Sequence, residues 1–374
     1  MQLSVIILNY KVRYFLEQCV LSVQKALEGI DGEIIVIDNA SSDDSCEMMK
    51  TKFPHIKFIE NKENLGFPKG NNIGVAQAKG EYICVLNPDT IVAEDTFSKI
   101  LNLQLAIPNS QLGIIGCKLI DGAGNFLPES KRGVPTPWVA FTKIFGLYKI
   151  SNYFGKYYAQ HLSENESGKV DILVGAFMVM KRELYLEVGG FDENCFMYSD
   201  DIDLSYLVLK TGKFNYYFHE TSVIHYKGES TVRDGTYMKR FREAMQFFYK
   251  KHFKKSWFFD VMMQVGSSVF SLLKKSQQKS EVRTIDEYVV FSKGNLELNL
   301  SRKATYLFDF NKFENQSHKN IEIIFDTTIF SFAEIITFMQ LNKSKNLSFK
   351  NYISSSNYLI GSNNSNDRGQ IILL

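Results

Sequence analysis

The stretch Glu33-Ile34-Ile35-Val36-Ile37-Asp38-Asn39-Ala40-Ser41-Ser42-Asp43 decides the fold class. Its first half is a continuous β-branched run of strand length, and it breaks at once into an acid and a polar turn. Similar runs stand on either side of it, Leu3 to Leu8 before, and Ile56 to Ile59 and Tyr82 to Leu86 after. Between them, Tyr14 to Leu27, Asp44 to Lys50 and Lys69 to Ala78 carry helical spacing, and Glu94 to Leu105 with the run Leu112 to Gly116 extends the alternation. Strand and helix units at this spacing predict an α/β fold whose mostly parallel sheet is covered by helices on both faces. Ligands of such sheets lie beyond the carboxyl ends of the strands, which directs attention to the polar residues that follow each run.

Asp38 closes its run, and a carboxylate there is able to accept from the N3 imide of uracil or thymine or from a ribose hydroxyl. A plainer role is equally open, since Asp43 or Asp44 suits the cap of the next helix. In Asn64-Leu65-Gly66-Phe67-Pro68-Lys69-Gly70-Asn71-Asn72, the two glycines allow close backbone approach and the following helix start suits an anion. Asparagines there also satisfy turn backbone. Asn87-Pro88-Asp89 ends the fourth run. One hard carboxylate at a strand end suffices to anchor Mg²⁺ or Mn²⁺ when diphosphate oxygens complete the shell, while Pro88 alone reads as a turn.

The middle of the chain supplies a second cluster. Gly175-Ala176, inside the apolar run Val170 to Met180, is small enough to line an acceptor pocket. Gly189-Gly190-Phe191-Asp192-Glu193 then leads through Tyr198 to Ser199-Asp200-Asp201-Ile202-Asp203, three acids within four positions at a helix start. A helix N-terminus stabilises carboxylates without any function, but one cap needs one acid, so one of these is a candidate general base. After the strand-like Lys213 to Phe218 comes His225, placed to join Asp89 on a metal or to bind a diphosphate oxygen, unless it is a solvated loop histidine.

Asp38, then Asn64-Leu65-Gly66-Phe67 with Gly70-Asn71-Asn72, then Asn87-Pro88-Asp89, then Gly189 to Glu193 with Asp200-Asp201-Ile202-Asp203, and His225 last: in this order the motifs resemble the family 2 glycosyltransferases of the rhamnosyltransferase-like branch, over roughly residues 1 to 250. The resemblance implies a GT-A-type nucleotide-diphospho-sugar transferase fold. It implies a UDP-sugar or dTDP-sugar donor, with Asp38 on the pyrimidine and Asn64, Gly66, Lys69, Asn71 and Asn87 in the nucleotide site. On the resemblance Asp89 and His225 would hold the divalent metal; Asn87 stands where many relatives carry the first acid of Asp-x-Asp, which leaves Mg²⁺ versus Mn²⁺ open. Asp201 is the expected base with Asp200 in reserve, because Asp200-Asp201 replaces the more usual Glu-Asp pair. Gly175, Ala176, Tyr198 and Asp203 are expected to line the sugar or acceptor pocket. The reaction implied is inverting transfer of a hexose or deoxyhexose to a hydroxyl of a glycan or lipid-linked acceptor in cell-surface polysaccharide synthesis.

Size and charge agree with an enzyme of this kind. The 374 residues, 45% hydrophobic, suffice for one large core and a smaller one. With 43 basic and 41 acidic residues and no long run of one sign, nucleic acid is not the expected partner. Five cysteines lie far apart without a CxxC pair, and Met1 to Tyr10 reads as a strand rather than a signal, so a cytoplasmic protein with free thiols is expected. Residues 1–250 form the expected catalytic domain and 251–283 a helix and linker. Trp257 to Leu273, flanked by Lys250, Lys251, Lys254 and Lys255, reads either as an interfacial helix on an anionic inner membrane face or as a packing or homo-oligomer helix. Residues 284–374 read as a small α/β module of open role, with strands Thr305 to Phe308, Ile321 to Phe325, Tyr358 to Ile360 and Ile371 to Leu374, and a helix Ser331 to Leu341 capped by Ser331. Two other classes compete: a sugar nucleotidyltransferase, whose glycine-rich phosphate loop Asn9-Tyr10-Lys11-Val12-Arg13 lacks, and a noncatalytic nucleotide-sugar binder or scaffold.

Overall fold

The computed structural model describes all residues except 108–110, 145, 228–234, 254–283, 294–295, 297 and 364–368. The expected Trp257 to Leu273 helix and its linker therefore lie outside the described residues. The chain begins with β1 (Leu3–Asn9), α1 (Arg13–Ala26), β2 (Gly32–Asp38), α2 (Ser45–Lys52), β3 (Lys57–Glu60), α3 (Gly66–Ala76) and β4 (Tyr82–Leu86). Then come β5 (Thr90–Ile91), α4 (Thr96–Ala106), β6 (Leu112–Ile120), α5 (Pro137–Ile144) and β7 (Gly168–Val170). The first body is completed by β8 (Phe177–Lys181), α6 (Arg182–Glu187), α7 (Asp200–Lys210), β9 (Phe214–His225) and α8 (Gly235–His252).

These strands form one sheet of order β3-β2-β1-β4-β8-β6-β9-β5, with β7 against β9. The pairs β1–β2, β1–β4, β2–β3 and β6–β9 are parallel, while β8 runs antiparallel to both β4 and β6. The fold is thus the expected mostly parallel sheet between helices. Every residue of β1 and β4 is buried, which is why both read as near-continuous apolar runs, interrupted in β1 only by Ser4 before its terminal Asn9, rather than as alternations. One face packs Leu16, Val20 and Met49 against Val5, Val36 and Cys84. The other packs Ile6, Ile35, Ile83 and Met178 against Val75, Leu184 and Leu204.

A second sheet follows, from β10 (Glu287–Phe291), β11 (Ala304–Leu307), β12 (Ile321–Asp326), β13 (Leu347–Ile353), β14 (Tyr358–Gly361) and β15 (Gln370–Leu373), with α9 (Phe332–Leu341) between β12 and β13. Its order is β11-β10-β12-β13-β14-β15, parallel through β13 and closed by an antiparallel hairpin. Ser331 caps α9 in a full capping box with Glu334, the role expected of it. β10 and β13 were not among the expected strands. In β13 the polar Ser348, Lys350 and Asn351 interrupt the apolar pattern, yet all seven residues are buried, and Lys350 is neutralised by Glu322 at 3.3 Å.

The two sheets share a core. Val12, Phe15, Ile91, Ile224 and Tyr226 pack in one cluster with Phe325, Phe332, Phe349 and Tyr358. Glu94 bridges the junction too, accepting from the backbone N–H groups of Phe332 (2.8 Å) and Ala333 (2.9 Å) at the start of α9.

Candidate active site

Topology gathers the candidates. Because β1, β2, β4 and β9 point one way, their carboxyl ends lie on one edge, and the antiparallel β8 brings its beginning there. Asn87 N–H donates to Ala176 C=O at 3.0 Å across that join, and β5 pairs Thr90 with His225. A cavity of about 570 Å³, large enough for a small-molecule ligand, opens along this edge. Asn64, Gly66, Asn87, Gly175, Ala176, Tyr198, Asp200, Asp201 and His225, all named from the sequence, line it.

Asp38, Asn71, Asp89 and Asp203 are buried behind the lining, and Lys69 is exposed outside it. Asp38 accepts from Asn9 Nδ2 (2.7 Å) and from Ser41 N–H (2.8 Å), and its neighbour Asn39 reaches the cavity instead. Asn39 Nδ2 in turn donates to Gly66 C=O at 3.0 Å, so the Asp38 turn and the Gly66 loop are one hydrogen-bonded unit. Gly66 has φ +81°, and a Cβ there would stand 2.8 Å from the Phe196 carbonyl oxygen, so only glycine fits this approach. The helix already begins at Gly66, which turns Lys69 to solvent and sets Asn71 Nδ2 on Phe67 C=O at 2.9 Å.

Asp203 requires a correction. Two positions after Asp201 on a helix, it faces about 200° away. Its carboxylate takes Lys251 Nζ at 2.8 Å and His252 Nε2 at 2.5 Å and does not reach the cavity. Lys251 is corrected with it, being tied to Asp203 and Asp192 rather than turned to lipid. Arg240, from the same helix as Lys251, does line the cavity, over the Phe196 ring.

Asp200 and Asp201 open α7 at the cavity wall. Asp201 Oδ2 accepts from Arg132 Nη2 at 2.6 Å and from Gly175 N–H at 3.0 Å. Arg132 also donates to Leu173 C=O at 3.0 Å, so the guanidinium ties the acid to the segment entering β8. Asp200 takes no such ion pair among the described residues, where its Oδ1 is buried without a hydrogen-bond partner and Arg132 acts on it only through its field. Burial and the neighbouring Asp201 charge push its carboxyl up to about 7. Gly175 packs beside both acids, and a Cβ would lie 3.3 Å from Asp201 Cβ. Tyr198, just before the pair, holds φ +79°, a conformation that side chains rarely adopt and that places a local constraint at the mouth of α7.

Across the cavity, Asp89 Oδ1 stands 3.4 Å from His225 Nε2, and Asn87 Nδ2 lies 3.4 Å from the same nitrogen. Two donors bonded to one ion at about 2.1 Å sit roughly 3 Å or slightly more apart, so this carboxylate and imidazole suit a shared divalent cation. The described residues contain no group of three or more such side chains. The pair therefore fits as a two-residue anchor that needs ligand oxygens, not as an all-protein cage.

Several lining residues escaped the sequence reading. Glu129 pairs with Lys227, and although burial opposes it, that lysine holds the Glu129 carboxyl below its usual value. Lys143 lies 3.5 Å from the centre of the Tyr157 ring, and Lys143 and Arg132 pull the Tyr157 phenol down against the effect of burial. The available signal was the adjacent Lys131-Arg132 in a stretch without acids, but Arg132 and Asp201 are 69 positions apart and no local spacing joins them. The expected free thiols are present; burial pushes Cys19 up to about 12, which suits packing rather than reactivity.

The family model described as Glycosyl transferase family 2 matches residues 4–189. The N-acetylglucosaminyl-diphospho-decaprenol L-rhamnosyltransferase of Mycobacterium tuberculosis is 26% identical over 243 residues, 62% of this chain and 78% of that protein. The minor teichoic acid biosynthesis protein GgaB of Bacillus subtilis is 23% identical over 280 residues, 74% of this chain and 27% of that longer protein. Among solved structures, the mannosyltransferase PcManGT from Pyrobaculum calidifontis, in complex with GDP-Man and Mn2+, aligns with a TM-score of 0.48 and 17% identity over 73% of this chain and 70% of that one.

Proposed function

Since residues 4–189 belong to glycosyl transferase family 2, we propose that this glycosyltransferase moves a hexose or deoxyhexose, with inversion, from a UDP- or dTDP-sugar to a hydroxyl of a lipid-linked or glycan acceptor at the cytoplasmic face of a membrane. The observation that carries the reading is the acid pair at the start of α7, set on Gly175 and facing one cavity with Asn87 and His225. The relatives' printed activities, rhamnosyl transfer to a decaprenol-linked sugar and teichoic acid biosynthesis, support the acceptor class and the place in cell-surface polysaccharide synthesis.

Asn64, whose Oδ1 accepts from Asn39 Nδ2 and Gly66 N–H, presents its Nδ2 to the nucleoside, while Asp38 fixes this rim through Asn9 and Ser41. Asp89 and His225 would hold a divalent cation, Mg²⁺ or Mn²⁺, whose charge when bound offsets that of the departing diphosphate. Asp201 takes the proton from the acceptor hydroxyl as its oxygen attacks the anomeric carbon and the bond to the diphosphate oxygen breaks. Arg132 keeps the base oriented by occupying Oδ2. One displacement inverts the anomeric carbon, and no residue becomes covalently attached.

The test is incubation with UDP-, dTDP- and GDP-sugars, each with Mn²⁺, with Mg²⁺ and with EDTA, followed by NMR of the product's anomeric proton. Turnover of a UDP- or dTDP-sugar that EDTA abolishes, giving the inverted product, is expected. A GDP preference, retention of configuration or full activity in EDTA would each overturn the corresponding part.

A further inference from the structure

The cavity has an outer wall whose far side faces water. Between Glu129 and Glu164 the chain carries five basic residues and no acidic one. Three point inward: Arg132 to Asp201, Lys143 to Tyr157, and Lys131 to the carbonyls of Tyr158, Ala159 and Leu162. The other two, Lys149 and Lys156, are exposed.

The same segment exposes large apolar side chains that ordinary folding would bury. Trp138 on α5 is 55% exposed, Ile150, just past the 3-10 turn Leu147–Lys149, is 77% exposed, and Tyr153, in the 3-10 turn Asn152–Tyr158, is 74% exposed. The rings form a connected ledge: Trp138 stacks on Phe141 at 5.5 Å and meets Phe154 edge-on at 6.3 Å, and Tyr153 meets Phe154 at 5.2 Å. Burial of such side chains is a main source of folding stability, so leaving several in water on one segment indicates a partner surface. Tryptophan and tyrosine with lysines and no acids is the combination that suits the headgroup layer of an anionic bilayer, where rings sit at the interface and each lysine meets negative lipid. Meanwhile Lys143, Tyr157 and Tyr158, on the same segment, line the cavity.

We propose that α5 and the 3-10 turns Leu147–Lys149 and Asn152–Tyr158 dock this protein on an anionic phospholipid surface, with Trp138, Ile150 and Tyr153 at headgroup depth and Lys149 and Lys156 against anionic headgroups. The segment that closes the cavity is then the one that touches lipid. A lipid-linked acceptor meets the active site without leaving the membrane, a consequence that rests on the acceptor reading above. The binding itself does not depend on that reading.

The experiment uses the full chain with vesicles of phosphatidylcholine alone and of phosphatidylcholine with phosphatidylglycerol, read by co-sedimentation, alongside donor hydrolysis without lipid. Wild type should sediment with the anionic vesicles, and at least about 10-fold less well in high salt. The double variant Ile150→Glu, Tyr153→Glu should lose vesicle binding by at least about 10-fold while hydrolysing donor at the wild-type rate, since neither residue lines the cavity. Wild-type binding by the variant would overturn the proposal and place the contact elsewhere on the chain. So would equal, salt-independent binding to both vesicle types, or an effect of the variant on self-association in sedimentation velocity without any on vesicles. If the variant loses vesicles as expected but wild type transfers no sugar to lipid-linked acceptors, the docking surface stands and the acceptor reading falls.

Discussion

The two adjacent acids of α7 experience different surroundings, and the difference is testable. Asp201 is held by Arg132 and the Gly175 amide, whereas Asp200 is buried with an unbonded oxygen and pushed up to about 7. Its value in the folded state lies above the ordinary 3.8 of an unfolded aspartate, so the folded protein binds that proton more tightly. The resulting stabilisation is complete below about pH 4 and is lost as pH rises through about 7. Asp200→Asn removes this dependence: its melting temperature should change less than that of wild type between pH 5 and 8, and exceed it at pH 8 by about 2 °C or more. Parallel curves for the two proteins would refute the assignment. Catalysis separates the acids differently. Asp201→Asn should bind donor nearly as well as wild type but lose single-turnover transfer by at least about 10²-fold. If instead Asp200→Asn is inactive and Asp201→Asn transfers normally, the base is Asp200. Asp201 itself depends on a distant residue: Arg132→Met strands a buried carboxylate and should cost about 3 to 5 kcal/mol in urea unfolding, much of which Asp201→Asn restores in the double variant. Full additivity of the two would mean that the pair does not interact.

Among the elements, α9 shows how a helix end is completed from another part of the chain. Its Ser331–Glu334 capping box is local and could be read from the sequence. Two further N–H groups, on Phe332 and Ala333, are satisfied by the carboxylate of Glu94, 238 and 239 positions earlier. A charge-assisted pair of hydrogen bonds at a helix N-terminus contributes about 1 to 3 kcal/mol. Glu94→Ala should lower unfolding stability by that amount, and Glu94→Gln by less, as measured by urea denaturation. An unchanged midpoint for Glu94→Ala would mean that the junction does not contribute to stability. β13 illustrates the limit of periodicity, since Lys350 sits in a fully buried strand because Glu322 on the adjacent β12 supplies the opposite charge. The period-two rule assumes that a polar residue faces water, and a cross-strand ion pair removes that assumption.

At the scale of the whole molecule, the second sheet completes the core of the first. Phe15, Ile224 and Tyr226 lie in the cluster built by Phe325, Phe332 and Tyr358, and Tyr226 immediately follows His225. Deleting residues 284–374 uncovers that cluster, so the truncated chain should aggregate or lose cooperative melting, and donor hydrolysis with it, while the full chain melts in one transition. A soluble truncation with wild-type hydrolysis would show that the shared core is dispensable. What the sequence by itself determined are the properties carried by neighbouring residues. Strands β1, β2 and β4 announce themselves by largely apolar runs, the glycine at 66 and the acids at 200 and 201 by local spacing, and the α9 cap by Ser331 ahead of an apolar helical stretch. The motif order from Asp38 to His225 was enough for the family. Only the tertiary structure decided which of these side chains meet. It put Asp203 on Lys251 and His252, since a helix turns about 100° per residue and consecutive acids leave in different directions. It brought Arg132 to Asp201 and Glu94 to α9, contacts fixed by strand order and crossover packing, which leave no trace in the spacing along the chain.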